Sequence, residues 1–167
     1  MKKIGIFYGS TLGYTKSVAE LIKRALGDDN ADIFNIDTAR TSDVSNYDRL
    51  IFGTSTWGVG EMQEDWEKFA QMLESVDLTS KKLALFGTGD QKQWPDSFVN
   101  GLGALYHRFK DRCEIVGFTS TQEYNFDISL ATRDGRFVGL AIDNVNQPDL
   151  TSTRIDHWVK QLQAEFN

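Results

Sequence analysis

The sequence is poor in the residues that build metal centres and cross-links. Its 167 residues include one cysteine, Cys113, and two histidines, His107 and His157. One cysteine excludes an internal disulfide, and so few Cys and His side chains speak against a Cys/His metal site. No Ser/His/Asp or Cys/His catalytic set is evident, because both histidines fall inside helix-like patterns and read as partly solvated side chains. Long apolar runs are missing as well: no stretch is long enough to span a membrane, and the N-terminus lacks the pattern of a secretory signal. The expected location is the cytoplasm. Basic charge is in deficit, with 18 Lys and Arg against 24 Asp and Glu, a net charge of −6. Such a chain repels nucleic acid and anionic membranes and suits a basic protein partner.

What is present is a globular composition. Hydrophobic residues make up 40% of the chain, and 11 Phe, 5 Tyr and 4 Trp supply bulk for a core. The length fits one domain, residues 1–167, without linker, repeat or low-complexity tract. Lys3 to Gly9 reads as a strand, Ser10-Thr11-Leu12-Gly13-Tyr14-Thr15 as a turn, and Val18, Leu21, Ile22, Ala25 and Leu26 as a helix ending at Gly27. Further strands are expected over 32–36, 47–54, 82–86, 114–118 and 137–142. Helices are expected over 66–73, 98–109 and 155–166, with Trp66 and Trp158 in the core. Leu50-Ile51-Phe52 and Leu83-Ala84-Leu85-Phe86 are continuous apolar runs, the mark of strands buried on both faces. The alternation of strands and helices argues for a doubly wound parallel sheet with helices on both faces. Residues 119–136 form a polar segment long for a compact domain. Gly101 and Gly103 inside a helix pattern are expected to allow close packing on the sheet.

In such a sheet, ligands bind beyond the carboxyl ends of the strands. Three segments fall there: 10–15, 55–62 and 88–95. The first pairs the hydroxyls of Ser10, Thr11 and Thr15 with Gly9 and Gly13 at the start of a helix. A helix N-terminus carries unpaired N–H groups and attracts anions, so this turn reads as a phosphate site made of neutral donors. The other two segments carry Trp57 and Trp94. A planar aromatic ligand stacked between them would cover two large apolar faces otherwise left near water. Two other readings fail. A P-loop needs a lysine after its second glycine, where Tyr14 follows Gly13. The Gly-x-Gly pairs at 58/60, 87/89 and 101/103 lack the third glycine of a dinucleotide fingerprint.

These residues resemble the flavodoxin family over essentially the whole chain. Ser10 to Thr15 is similar to the family's phosphate loop, with Leu12 in place of a common hydroxyl residue. Thr54-Ser55-Thr56-Trp57-Gly58-Val59-Gly60-Glu61 resembles the first flavin-flanking loop, and Gly87-Thr88-Gly89-Asp90-Gln91 the second. Phe137 to Asp143 followed by Asn146-Gln147 resembles the end of long-chain flavodoxins, in which an insertion matching 119–136 splits the last strand. The resemblance implies a five-stranded parallel sheet of order 2-1-3-4-5 and one non-covalently held FMN. It assigns cofactor contacts to Ser10, Thr11, Leu12, Gly13, Tyr14, Thr15, Thr54, Ser55, Thr56, Trp57, Gly58, Val59, Gly60, Thr88, Gly89, Asp90, Gln91, Trp94 and Ser97, with no metal.

The implied function is low-potential one-electron transfer, between semiquinone and hydroquinone, by a protein that is not an enzyme; a monomer is expected, because no exposed apolar face is evident in the sequence pattern. Implied donors are a flavin-containing NADP reductase or a photosystem; implied acceptors are nitrogenase reductase or another low-potential protein. Trp94 stands where the family usually has a tyrosine. Gly58 is expected to favour a flipped peptide whose carbonyl accepts a hydrogen bond from the protonated N5 of reduced flavin and so stabilises the neutral semiquinone. Asp143-Asn144-Val145-Asn146 is less acidic than in many relatives. The competing readings are a flavodoxin-like FMN quinone or NAD(P)H reductase, and a binding module that has lost its cofactor.

Overall fold

The computed structural model describes residues 3–57 and 60–167. Along them run β1 (Ile4–Tyr8), α1 (Tyr14–Leu26), β2 (Ala31–Asn35), α2 (Thr41–Ser45), β3 (Arg49–Trp57), β4 (Glu61–Met62), α3 (Glu64–Met72), β5 (Lys82–Thr88), α4 (Asn100–Phe109), β6 (Glu114–Val116), β7 (Thr119–Ser120), β8 (Thr132–Arg133), β9 (Arg136–Phe137), β10 (Leu140–Ile142) and α5 (Thr151–Glu165).

The main sheet runs β2-β1-β3-β5 in parallel, and the expected order holds. Its fifth position is filled in two pieces. β6 pairs with Lys82 to Ala84 at the start of β5, and β10 with Phe86 to Thr88 at its end. The chain between the pieces forms a small antiparallel sheet of order β7-β9-β8. The segment read as polar is therefore ordered. Its aromatic residues anchor it: Tyr124 lies 4.9 Å from Phe137 and Phe126 lies 5.5 Å from Phe98, centroid to centroid. The Tyr124 hydroxyl donates to the Ala141 carbonyl at 2.6 Å.

The central strands are buried on both faces, which is why they read as unbroken apolar runs. Successive side chains of β1 alternate between two cores. Ile4, Ile6 and Tyr8 join Val18, Ile22, Trp158 and Leu162 beneath α1 and α5. Phe7 joins Phe52, Trp66, Phe69 and Phe109 beneath α3 and α4. Each large apolar side chain buried in this way contributes about 1.5–3 kcal/mol. Trp66 and Trp158 are core residues with their N–H groups satisfied, donating to the carbonyls of Gly53 and Gly117, both at 2.8 Å. His107 and His157 are exposed on their helices.

Some elements depart from the pattern. α2 buries only Val44 and is too short to show helical periodicity. The last helix begins at Thr151, before its first large apolar residue. Gly101 does approach the sheet: a Cβ there would sit 2.5 Å from the Ser55 carbonyl oxygen. Gly103 instead faces the inserted segment, where a Cβ would lie 2.5 Å from the backbone of Leu130.

Candidate cofactor site

Parallel pairing in register brings the carboxyl ends of β1, β3 and β5 side by side, with Tyr8 opposite Gly53 and Ser55 opposite Thr88. The segments that follow these ends enclose a cavity of about 460 Å³, within the usual range for a small-molecule site.

The first segment turns into α1 through Gly13, the N-cap, at φ 87°. That left-handed conformation strains any residue with a side chain. The Gly13 N–H donates to Ser10 Oγ at 3.0 Å, and no side chain caps the helix. Ser10, Thr11, Leu12, Tyr14 and Thr15 line the cavity. Thr15 is buried, with Oγ1 at 3.3 Å from Oγ1 of Thr88. Thr11 Oγ1 accepts from Gln63 Nε2 at 3.3 Å. Among the described lining residues there is no lysine or arginine, so the donors at this end are neutral.

The second segment contributes Ser55, Thr56 and Trp57. β3 runs on to Trp57, which therefore sits on a strand end rather than in a loop. Its ring N–H donates to Ser55 Oγ at 2.8 Å while 38% of the residue remains exposed. Thr54 is fully buried and does not line the cavity: its hydroxyl donates to the Ser55 carbonyl and accepts from the Gln63 N–H. Gly60 is not among the described lining residues and packs near Asn100. Gly58 and Val59, and with them the expected peptide flip at Gly58, fall outside the described residues.

The third segment brings Thr88, Gly89, Asp90, Trp94 and Ser97 to the cavity. Trp94 is 53% exposed. Gln91 is buried and turned away from the cavity. Its N–H and Nε2 donate to Asp143 Oδ2 at 3.0 and 2.8 Å, and its Oε1 accepts from the Asn125 N–H at 2.5 Å. Asp143 is fully buried. Burial alone pushes its carboxyl pKa up, but hydrogen bonds from Asn146 and Gln91 outweigh this and hold it below the usual carboxylate value. Asn146 Nδ2 bridges Asp143 Oδ2 at 2.8 Å and Asp90 Oδ1 at 2.7 Å.

Four lining residues were not among the expected contacts: Phe98, Val99, Asn144 and Val145. Phe98 fits the apolar spacing of the following helix, yet α4 begins only at Asn100 and Phe98 belongs to the turn before it. Val99, fully buried, takes φ 46°, a left-handed conformation unusual for a β-branched residue and invisible in sequence. Asn144 and Val145 follow β10 and reach the site because the strand split puts β10 at the carboxyl end of β5.

The cavity thus joins neutral hydroxyls at a helix N-terminus to two partly exposed indoles. That donor set fits a ligand with an anionic group at one end and a planar ring at the other. A neighbouring groove of about 560 Å³ shares Thr11 and Trp57 and is otherwise lined by Glu61, Met62, Glu64 and Glu67.

The family model described as flavodoxin matches residues 6–158. The chain belongs to the flavodoxin family. It is 45% identical to a flavodoxin of a Nostoc species, over 99% of this chain and 98% of that one. It is 44% identical to flavodoxin 1 of Azotobacter vinelandii over 99% and 98%. Among solved structures, flavodoxin from Fusobacterium nucleatum bound to flavin mononucleotide superposes with a TM-score of 0.94 at 35% identity, covering all of both chains. Flavodoxins are electron-transfer proteins rather than enzymes.

Proposed function

We propose that residues 1–167 form a single FMN-binding unit that acts as a low-potential one-electron carrier. The observation that carries this reading is the cavity itself, in which a cation-free hydroxyl cradle opens onto Trp57 and Trp94. Ser10, Thr11, Gly13, Tyr14 and Thr15 hold the phosphate. Trp57 and Trp94 stack on the ring, and the Trp94 indole offers a larger face than the tyrosine usual in the family. Ser55, Thr56, Thr88, Gly89, Asp90 and Ser97 line the space between. Bound there, FMN supplies one-electron redox chemistry, and the protein sets its position and field.

That field is negative. A phosphate held without a cation keeps its charge, Asp90 faces the cavity, and Glu61, Glu64 and Glu67 line the adjoining groove. Added negative charge is disfavoured in such surroundings, so the fully reduced cofactor is a strong reductant. The same acids suit a basic docking face, with transient and salt-sensitive contacts. The partners fitting this role are a flavin-containing NADP reductase or a photosystem as donor, and nitrogenase reductase or another low-potential acceptor. The carrier is a cytoplasmic monomer in this reading.

Stepwise anaerobic reduction of the FMN-loaded chain, followed by absorption, tests the proposal. Two resolved one-electron steps are expected, with no NADH oxidation by the protein alone. Bleaching in a single two-electron step would refute the carrier reading. A chain that takes up no FMN would refute the cofactor assignment.

A further inference from the structure

We infer that Gln63 is a positioning residue for the anion cradle, fixing the Thr11 hydroxyl so that its proton is free to face the cavity. The inference rests on the reading that this cradle holds the phosphate of FMN. Gln63 is 3% exposed and is held from three sides. Its backbone N–H donates to Thr54 Oγ1 at 3.0 Å, its Oε1 accepts from the Asp65 N–H at 3.0 Å, and its Nε2 donates to Asp65 Oδ2 at 2.9 Å. These contacts settle which end of the amide is which, because a backbone N–H needs an acceptor and a carboxylate needs a donor.

The second Nε2 hydrogen then meets Thr11 Oγ1 at 3.3 Å. An amide N–H can only donate, so the Thr11 oxygen accepts and its single proton points elsewhere. Ser10 is arranged the same way, its Oγ accepting the Gly13 N–H. Both hydroxyls line the cavity. An anion consists of acceptors alone, so a cradle without cations holds it only if its hydroxyls present protons. Gln63 sets one of them before the ligand arrives, which removes an ordering cost from binding.

The test compares FMN with riboflavin, which has the same ring and lacks the phosphate, by quenching of flavin fluorescence on titration with apoprotein. Gln63→Met removes the amide. Gln63→Glu keeps an acceptor for the Asp65 N–H, and so the cap of α3, while losing the donor. Gln63→Met should lower the ratio of FMN to riboflavin affinity by roughly three- to tenfold, the size of one hydrogen bond, and Gln63→Glu by at least as much, because its carboxylate also repels the phosphate. In a Thr11→Val background, Gln63→Met should change that ratio by less than about twofold, because its effect runs through Thr11. An unchanged ratio, an equal loss of both ligands, or full additivity with Thr11→Val would overturn the inference. A wild-type chain that binds neither flavin would sink the carrier reading together with it. Tight wild-type binding with an unchanged ratio in the variants sinks only the role of Gln63.

Discussion

Asp143 offers the sharpest test of how the site is held. Its carboxylate accepts five hydrogen bonds: from the N–H groups of Val145 and Asn146 at Oδ1, and from the Gln91 N–H, Gln91 Nε2 and Asn146 Nδ2 at Oδ2. Asp143→Ala leaves all five donors without their acceptor. Val145 and Asn146 are partly accessible and can turn to water, but Gln91 is 2% exposed. Two buried donors on Gln91 therefore remain unsatisfied, at about 1–3 kcal/mol each. Allowing for relaxation, the expected loss is roughly 2–5 kcal/mol. For a chain of this length that lowers Tm by roughly 4–20 °C. Asp143→Asn is milder. Its one carbonyl can keep the three bonds at Oδ2, while its NH₂ faces the donors of Val145 and Asn146, both within reach of solvent; about 1–2 kcal/mol is expected.

The pH dependence follows from the same contacts. The folded carboxyl is held below its ordinary value of about 3.9, so its contribution is complete above that value and is lost as pH falls through the lower folded one. Asp143→Asn should therefore flatten the acid limb of the stability profile. Urea unfolding of the apoprotein, followed by far-UV circular dichroism from neutral to acid pH, measures both effects. An Asp143→Ala loss below about 1 kcal/mol, within reach of ordinary surface substitutions, would refute the claim that this carboxylate clamps the loops.

Other expectations rest on separate contacts. Trp57→Ala and Trp94→Ala should each weaken FMN binding by roughly 5- to 100-fold, as stacking on an aromatic face contributes about 1–3 kcal/mol; equal affinity in a fluorescence titration would remove that tryptophan from the site. Gly101→Ala should cost about 1–3 kcal/mol by overpacking against the Ser55 carbonyl, read as a lower urea midpoint. Burial pushes the Cys113 thiol up to about 11, so in the folded protein at pH 8 its alkylation should be slower than in the unfolded chain by at least about a hundredfold; comparable rates would show the thiol to be accessible and ionised.

The fold was legible where burial leaves a periodic mark. Leu50-Ile51-Phe52 and the Val18-Leu21-Ile22 spacing each report the two-sided sheet or its covering helix directly. The hydroxyl cradle was legible for a different reason: strand, glycine turn and helix is a local arrangement that carries Ser10, Thr11 and Thr15 to the cavity, although the contacts of Thr11 with Gln63 and of Thr15 with Thr88 come from distant chain. What was hidden depends on tertiary closure. Thr54 and Gln91 carry the polar side chains of a binding loop, yet Gln63, on the next element, and Asp143, far away in sequence, draw them inward. Phe98 fits helical spacing but falls before the helix, and the left-handed turn at Val99 that brings both to the cavity has no glycine to announce it. The aromatic residues Tyr124 and Phe126 were the available signal that residues 119–136 pack as structure rather than hang as a polar loop.

That packing gives the inserted segment a consequence for the site. The carbonyl of Pro95, next to Trp94, accepts the N–H groups of Asp127 and Ile128 at 2.8 and 3.0 Å. Gln91, at the start of the same turn, accepts the N–H of Asn125. The turn that carries Trp94 is therefore tied from behind at both ends by the insertion. The insertion is in turn held by Tyr124, which bonds β10 and receives the Arg154 guanidinium 3.9 Å above its ring. A partly exposed indole has few neighbours of its own to hold it, so its position is set by the backbone beneath it. Splitting the last strand lets β6 complete the start of β5 and β10 its end, while the chain between them braces one wall of the cavity. The sheet edge and the Trp94 wall are thus stabilised by the same stretch of chain, and loosening either should loosen the other.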